Sequence, residues 1–174
     1  FLLVGVMGLL IATELFALRF AMDTLSAVRA FVGGEGLWSK SQKAAALNLE
    51  RYAHTRDTRY YTEFLQALEI PLGDREARMG LQTMPDADVP RIYAGFLRGG
   101  VHYDDIHGLI HLVRKFHGFP YFLDALVIWE QGDKQLQAFV NQGEELHRLI
   151  SLGRRDSGMA AVVAKIGRLD GDLT

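Results

Sequence analysis

The sequence predicts an all-α protein: an elongated bundle of long helices carrying a layer of short helices, preceded by a transmembrane helix. Three observations predict it. The helix formers Ala, Leu, Glu, Gln and Arg are spread through all 174 residues, which include only four prolines. Alternating Val/Ile/Thr/Tyr runs, the mark of strands, do not occur. Apolar residues recur at three- and four-residue spacing instead, and the chain opens with thirteen uncharged residues, Phe1 to Thr13.

After Glu14 the apolar character of that opening resumes as Leu15-Phe16-Ala17-Leu18. A bilayer crossing takes about 20 apolar residues. Because the chain starts on Phe rather than Met, residues 1–22 read as the outer part of a membrane helix whose beginning is missing. Glu14, Arg19 and Asp23 then mark its passage from hydrocarbon into headgroups and water. Two other readings compete. A cleaved signal peptide needs a small-residue cleavage site, which Leu15 to Met22 match poorly. A buried core helix is usually amphipathic, whereas Leu, Val, Ile, Phe and Met occur all round this wheel.

Residues 23–174 make one domain. With 49% hydrophobic residues in the chain there is enough for a real core. The balance of 19 basic against 21 acidic residues gives no field that would draw nucleic acid. The absence of cysteine excludes a disulfide framework, a thiolate metal site and a cysteine nucleophile.

Leu25, Val28 and Val32 continue the spacing of Leu15, Leu18 and Met22, so the membrane helix is expected to run into the domain as a rod. Gly33-Gly34-Glu35-Gly36 either ends that helix or kinks it. Leu37 to Thr55 is helical, with Leu37, Trp38, Ala44, Ala45, Leu47, Leu49, Tyr52 and Ala53 on a broad apolar face. Asp57 or Thr58 then caps a helix from Arg59 to Glu69, which makes an antiparallel hairpin. Ile70-Pro71-Leu72-Gly73-Asp74 is expected to stop it, with Asp74 capping a short helix from Arg75 to about Gln82. Pro85 to Asp88 is a loop. Pro90 suits the first turn of a helix whose inner face is Val89, Ile92, Tyr93, Phe96 and Leu97 and which Gly99-Gly100 ends. Asp104 and Asp105 suit the start of Ile106 to Phe116, closed by Gly118 and Pro120. Tyr121 to about Leu152 is the longest pattern, with Phe122, Leu126, Trp129, Leu136, Phe139, Val140 and Leu146 inward. Met159 to Leu173 begins a last helix on Val162, Val163, Ile166 and Leu169. The chain looks cut at both ends, before a second membrane segment.

The order and spacing of Leu37-Trp38-Ser39-Lys40-Ser41-Gln42-Lys43-Ala44, Arg51-Tyr52-Ala53, Pro71-Leu72-Gly73-Asp74-Arg75 with Ala77-Arg78, Gly95-Phe96, Gly99-Gly100, His102, Asp104-Asp105-Ile106 and Ile128-Trp129 with Asp133 carry a resemblance. Over about Trp38 to Leu152 the chain resembles the helical periplasmic region that precedes PAS, GGDEF and EAL domains, or histidine kinases, in membrane-bound bacterial signal transducers. The resemblance implies a sensor input module between two membrane helices of the bacterial inner membrane, dimeric, with a cytoplasmic output that turns over cyclic-di-GMP or phosphorylates. It names no ligand.

Arg75 and Arg78 share a helical face and are expected to pair with Asp104 or Asp105. The alternative makes Arg75 or Arg78 a clamp for a carboxylate ligand, with Trp38, Trp129 or Tyr103 as an apolar wall. His102 completes this candidate ligand-binding set. Asp104, His107 and His111, at i, i+3 and i+7, have metal-ligand spacing, although with His102 and His117 they equally suit a polar face or a pH-responsive one. Trp38 and Trp129 suit the core of a bundle, and Glu144-Glu145 with His147 suits a charged face. No G-x-S-x-G, HExxH, P-loop or dinucleotide-binding glycine fingerprint occurs, so no catalytic residue and no cofactor is expected in this stretch. Membrane, a second copy of the chain and a small molecule or periplasmic partner are the expected contacts. A structural, dimerising module without a ligand is the alternative, and a metal-binding protein a further one.

Overall fold

The computed structural model describes residues 1–82, 88–116, 120–153 and 157–172, which form six helices and no strand. The protein is all-α, as its periodicity predicts. Helix α1 (Leu2–Thr55) is one 54-residue rod, about 80 Å long at 1.5 Å per residue. It runs unbroken through Gly33–Gly36. Three helical glycines cost roughly 1 kcal/mol each against alanine, too little to end a helix that is packed on either side of them.

The two halves of α1 meet different surroundings. Leu2–Ser26 is long and apolar enough to cross a membrane, with a mean hydropathy of 1.9 and none of its most apolar window buried. Within this chain the segment is therefore not packed as a core helix. From Gln42 onward α1 is instead the spine of the core, with Ala45, Leu49 and Tyr52 almost wholly enclosed. The helix ends at Arg56, whose φ of 61° places it in the left-handed region and lets its N–H reach the Tyr52 carbonyl. Asp57 Oδ1 then accepts the Arg59 N–H at 3.0 Å, as expected of a cap, and α2 (Thr58–Gln82) folds back antiparallel.

Pro71 does not stop this helix. Helix α2 continues through Ile70–Asp74 to Gln82, so the two short helices expected there are one, and Asp74 is mid-helix rather than a cap. Proline removes the N–H that would have reached the Ala67 carbonyl and crowds that carbonyl with its ring. Against that cost stands the whole packing of α3 (Val89–Arg98) on this part of α2. The backbones touch. A Cβ on Gly73 would lie 2.6 Å from the Gly99 nitrogen, and one on Gly95 would lie 2.7 Å from the Ala77 nitrogen. At α3's start Pro90 occupies the first turn, as the sequence implies, and Asp88 accepts the Arg91 N–H at 3.2 Å.

Gly100, at φ 82°, turns the chain into α4 (Tyr103–Phe116), with Asp104 and Asp105 in its first turn. Helix α4 runs antiparallel along the middle of α1. Helix α5 (Pro120–Ser151) then runs antiparallel to α2, and α6 (Ser157–Asp172) returns against α5 and α1. The layer expected to hold four short helices thus holds two, α3 and α4. Leu136, Phe139 and Leu146 from α5 and Ile166 from α6 close one core with α1 and α2; Ala77, Leu81, Ile92, Phe96, Ile106, Leu109 and Ile110 form a second between α2, α3 and α4. Pro85, His117 and Gly118, and the side chains of Phe122, Leu126, Met159 and Leu169, fall outside the described residues.

Candidate functional site

The expected partners of Arg75 and Arg78 are not the ones they meet. Neither Asp104 nor Asp105 is near them in the fold: Asp105 Oδ1 accepts from Ser26 Oγ at 2.9 Å, and Asp104 sits 3.5 Å from the His102 ring on the exposed start of α4. The carboxylate that arrives is Asp133 of α5. Antiparallel packing sets Asp133 against the Arg75–Arg78 turn, because α5 crosses α2 there after leaving the end of α4.

Arg78 is the anchor of the cluster. Its Nη2 donates to Asp133 Oδ1 at 2.7 Å and its Nη1 to Oδ2 at 3.4 Å, while Nε donates to Asp74 Oδ2 at 2.9 Å. Its guanidinium also lies 5.3 Å from the centre of the Trp129 ring. Burial works against the charge on Arg78, but the hydrogen bonds and charges of Asp133 and Asp74 outweigh it and push the guanidinium's proton affinity above the ordinary arginine range. Arg78 therefore stays ionised, with each of its three nitrogens bonded to Asp74 or Asp133.

Arg75 is less fully engaged. Its Nη1 donates to Gln137 Oε1 at 2.9 Å, but its buried Nε has no acceptor in hydrogen-bond range, and its nearest carboxylate oxygen, Asp133 Oδ2, is 4.0 Å away. Beside it opens a cleft of about 430 Å³ lined by Arg75, Met79, Gln82, Glu130, Asp133, Lys134 and Gln137. Lys134 and Glu130 pair across one turn at 2.9 Å at its rim. The cleft thus offers a partly used Arg75 guanidinium, the Gln137 amide and the sulfur of Met79, with Lys134 as a second cation and Glu130 and Asp133 as two carboxylates in its wall.

Of the candidate set, Arg75, Arg78 and Trp129 come together. Trp38 is half-buried on α1, and His102, Tyr103, Asp104 and Asp105 cluster at the start of α4, where Tyr103 packs on Tyr93 at 5.8 Å. His107 and His111 do meet, ring to ring at 5.7 Å, yet Asp104 faces His102, and no group of three or more His, Asp or Glu able to hold a metal occurs among the described residues. Asp133 and Gln137 are the site residues that sequence reasoning left out. Their signal was the i, i+4, i+8 spacing from Trp129.

A second polar cluster lies at the far end of the bundle. Tyr52 Oη is 2.7 Å from His147 Nδ1, and the Tyr61 ring stacks on His147 at 4.0 Å. His147 is therefore part of the core rather than of a charged face, unlike Glu145, which pairs with Arg148 at 2.7 Å. Burial, and then the neighbouring Tyr61 hydroxyl, hold Tyr52 above the usual phenol range; burial, and then Glu144, do the same to Tyr61. Tyr52 serves as a hydrogen-bonding core residue and Tyr61 as a stacking one.

Comparison with protein-family models, with curated proteins and with solved structures gives no match.

Proposed function

We propose that this chain is the extracytoplasmic input module of a bacterial transmembrane signalling protein, anchored in the inner membrane and reporting a small carboxylate ligand to a cytoplasmic output. The observation that carries the reading is the continuity of α1. One helix has a wholly exposed apolar half and a half that forms the spine of the core, so any shift of the bundle's packing is delivered along a stiff axis into the apolar segment.

The ligand site in this reading is the Arg75 cleft. A carboxylate there competes with Gln137 and Asp133 for the Arg75 guanidinium, drawing α2 and α5 into a second arrangement. The partner is a second copy of the chain. Leu15, Leu18, Met22, Leu25 and Val32 repeat at alternating three- and four-residue steps, with Arg29 the charged member at that spacing, and all five apolar side chains are exposed at 59–69%. That is the seam of a parallel coiled coil, and it continues from the apolar segment into the domain.

The test is a thermal-shift screen of the full chain in detergent or nanodiscs against amino acids, organic acids, polyamines and metals. A carboxylate that raises Tm by about 5 °C near saturation, and fails to do so in Arg75→Gln, is the expected result. No stabilising carboxylate, together with efficient disulfide crosslinking of Leu25→Cys in membranes, would replace the sensor with a purely structural, dimerising module. That second reading is favoured by one observation, the pairing of Arg78 with Asp74 and Asp133, which already gives its charge two carboxylate partners.

A further inference from the structure

We infer that the last turn of α4 is a binding site for anionic lipid headgroups, a basic foot that fixes the domain to the membrane surface beside its anchor. The inference rests on the reading of α1's apolar half as a membrane span. Register between α1 and α4 places the foot. Gly100 abuts Leu37, with Leu37 Cδ1 3.3 Å from where a Cβ would stand. Ser26 bonds Asp105 at 2.9 Å, and Lys115 Nζ stands 4.8 Å over the ring of Phe20. As α4 advances from its start to its end, the α1 residues it meets fall from Leu37 to Phe20. Helix α4 therefore descends toward the membrane, and its final turn is level with a ring six residues inside the apolar segment Leu2–Ser26.

That depth is where aromatic rings and long cationic side chains meet lipid headgroups. Ile106, Leu109 and Ile110 bury the inner face of α4, while His107, His111, Arg114 and Lys115 are exposed, with the two cations at the membrane end. Arg19, next to Phe20 on α1, adds a third exposed cation at the same level, and Asp23 is the exposed anion nearest them on α1. A guanidinium and an ammonium held at this height match the phosphodiester of an anionic glycerophospholipid, the former through paired hydrogen bonds. The geometry also suits the coiled-coil seam. On the helical wheel Phe20 and Thr24 lie largely opposite Leu18, Met22 and Leu25, so a dimer closed through the seam leaves both feet on the lipid side.

The experiment places the full chain in phosphatidylcholine vesicles with and without a third of phosphatidylglycerol, checks insertion by flotation, and follows amide hydrogen exchange at residues 110–116. Exchange about tenfold slower with phosphatidylglycerol is expected, lost at high salt, in Lys115→Gln and in Arg114→Gln/Lys115→Gln. Unchanged near-ultraviolet dichroism of both variants in phosphatidylcholine checks that they fold. A chain that floats with both vesicles but exchanges equally in them overturns the headgroup site while leaving the anchor intact. Protection that survives in the double variant, or that free inorganic phosphate reproduces on phosphatidylcholine vesicles, overturns it too. A chain that floats with neither takes the anchor and the foot down together.

Discussion

Between α1, α2, α5 and α6 the aliphatic interior is built round packed rings; between the end of α2, α3 and α4 it is built on touching backbones, aliphatic side chains and Phe96. In the first region Phe64 meets Phe139 edge to face at 5.7 Å, and Tyr52, Tyr61 and His147 stack and hydrogen-bond. In the second, Gly73, Gly95 and Gly99 let two helices touch main chain to main chain. The ring-filled core joins segments far apart in sequence, such as Tyr52 and His147. The glycine-paved one joins α2 to the helix that follows it. Long-range closure uses large, directional side chains that gain most once all partners have arrived, whereas the local hairpin is held by contact that leaves no side chain to adjust. The cleft beside Arg75 lies between the two, where α5 crosses the turn of α2 that also carries α3.

The contrast breaks in opposite directions. Phe64 is fully buried, so Phe64→Ala should cost about 3–5 kcal/mol by leaving a cavity in the ring-filled core, read as a loss in chemical-denaturation midpoint. In the other core it is enlargement that harms. Gly95→Ala should cost about 1–3 kcal/mol, because the new methyl meets the Ala77 nitrogen and the Gly73 carbonyl oxygen and the two backbones must part. A Gly95→Ala protein as stable as the parent would mean that α3 is not seated as closely as described. Gly143, whose missing Cβ is taken up by the Phe64 ring, shows that the ring-filled core also depends on one small residue.

The Tyr52–His147 bond should matter less. Tyr52→Phe removes one partly buried hydrogen bond, worth about 1 kcal/mol. The titration of the tyrosines sharpens the point. Both phenols are held above their unfolded value near pH 10, so the folded state keeps its protons to higher pH than the unfolded chain. Their contribution to stability is complete below about pH 10 and is lost as pH climbs from there through the raised values. Denaturation midpoints measured between pH 8 and pH 11 should therefore fall above about pH 10, and fall less steeply in Tyr52→Phe.

Much of this architecture was legible. Helical spacing located nearly every helix, and Asp57, Pro90, and Asp104 with Asp105 marked helix starts that the structure repeats, whereas Asp88, read as loop, turns out to be a cap. The breaks were misread where local residue preference opposed tertiary packing. Pro71 and Gly73 look like a stop in isolation, but Gly73 is small because Gly99 lies on it, and the helix passes through to carry α3. The site was half legible for the same reason. Arg75, Arg78 and Trp129 declare themselves by residue type; their partner does not, because which carboxylate reaches them depends on where α5 crosses α2. His147 was read as solvent-facing from its charged neighbours, although Gly143, His147 and Ile150 share an inward spacing with Val140.

The smallest effect expected is the one that bears most on the rod. Gly34 lies within α1, and a Cβ there would meet nothing within 4 Å, so Gly34→Ala adds no clash. It should stabilise the helix by about 0.5–1 kcal/mol, since alanine gives up less backbone freedom on becoming helical. The antiparallel hairpin sets this part of α1 level with the Arg75–Arg78 turn of α2, so the softest part of the rod lies at the height of the cleft, whose wall is made by α2 and α5. If displacement passes along α1 as one rigid axis, Gly34→Ala leaves the Tm increment given by a bound carboxylate unchanged and simply shifts both curves upward. If the glycines act instead as a joint that bends when the cleft fills, alanine at Gly34 penalises the bent form, and the increment shrinks while the unliganded protein gains stability. Comparing the two Tm differences in one set of melts distinguishes a rod from a joint.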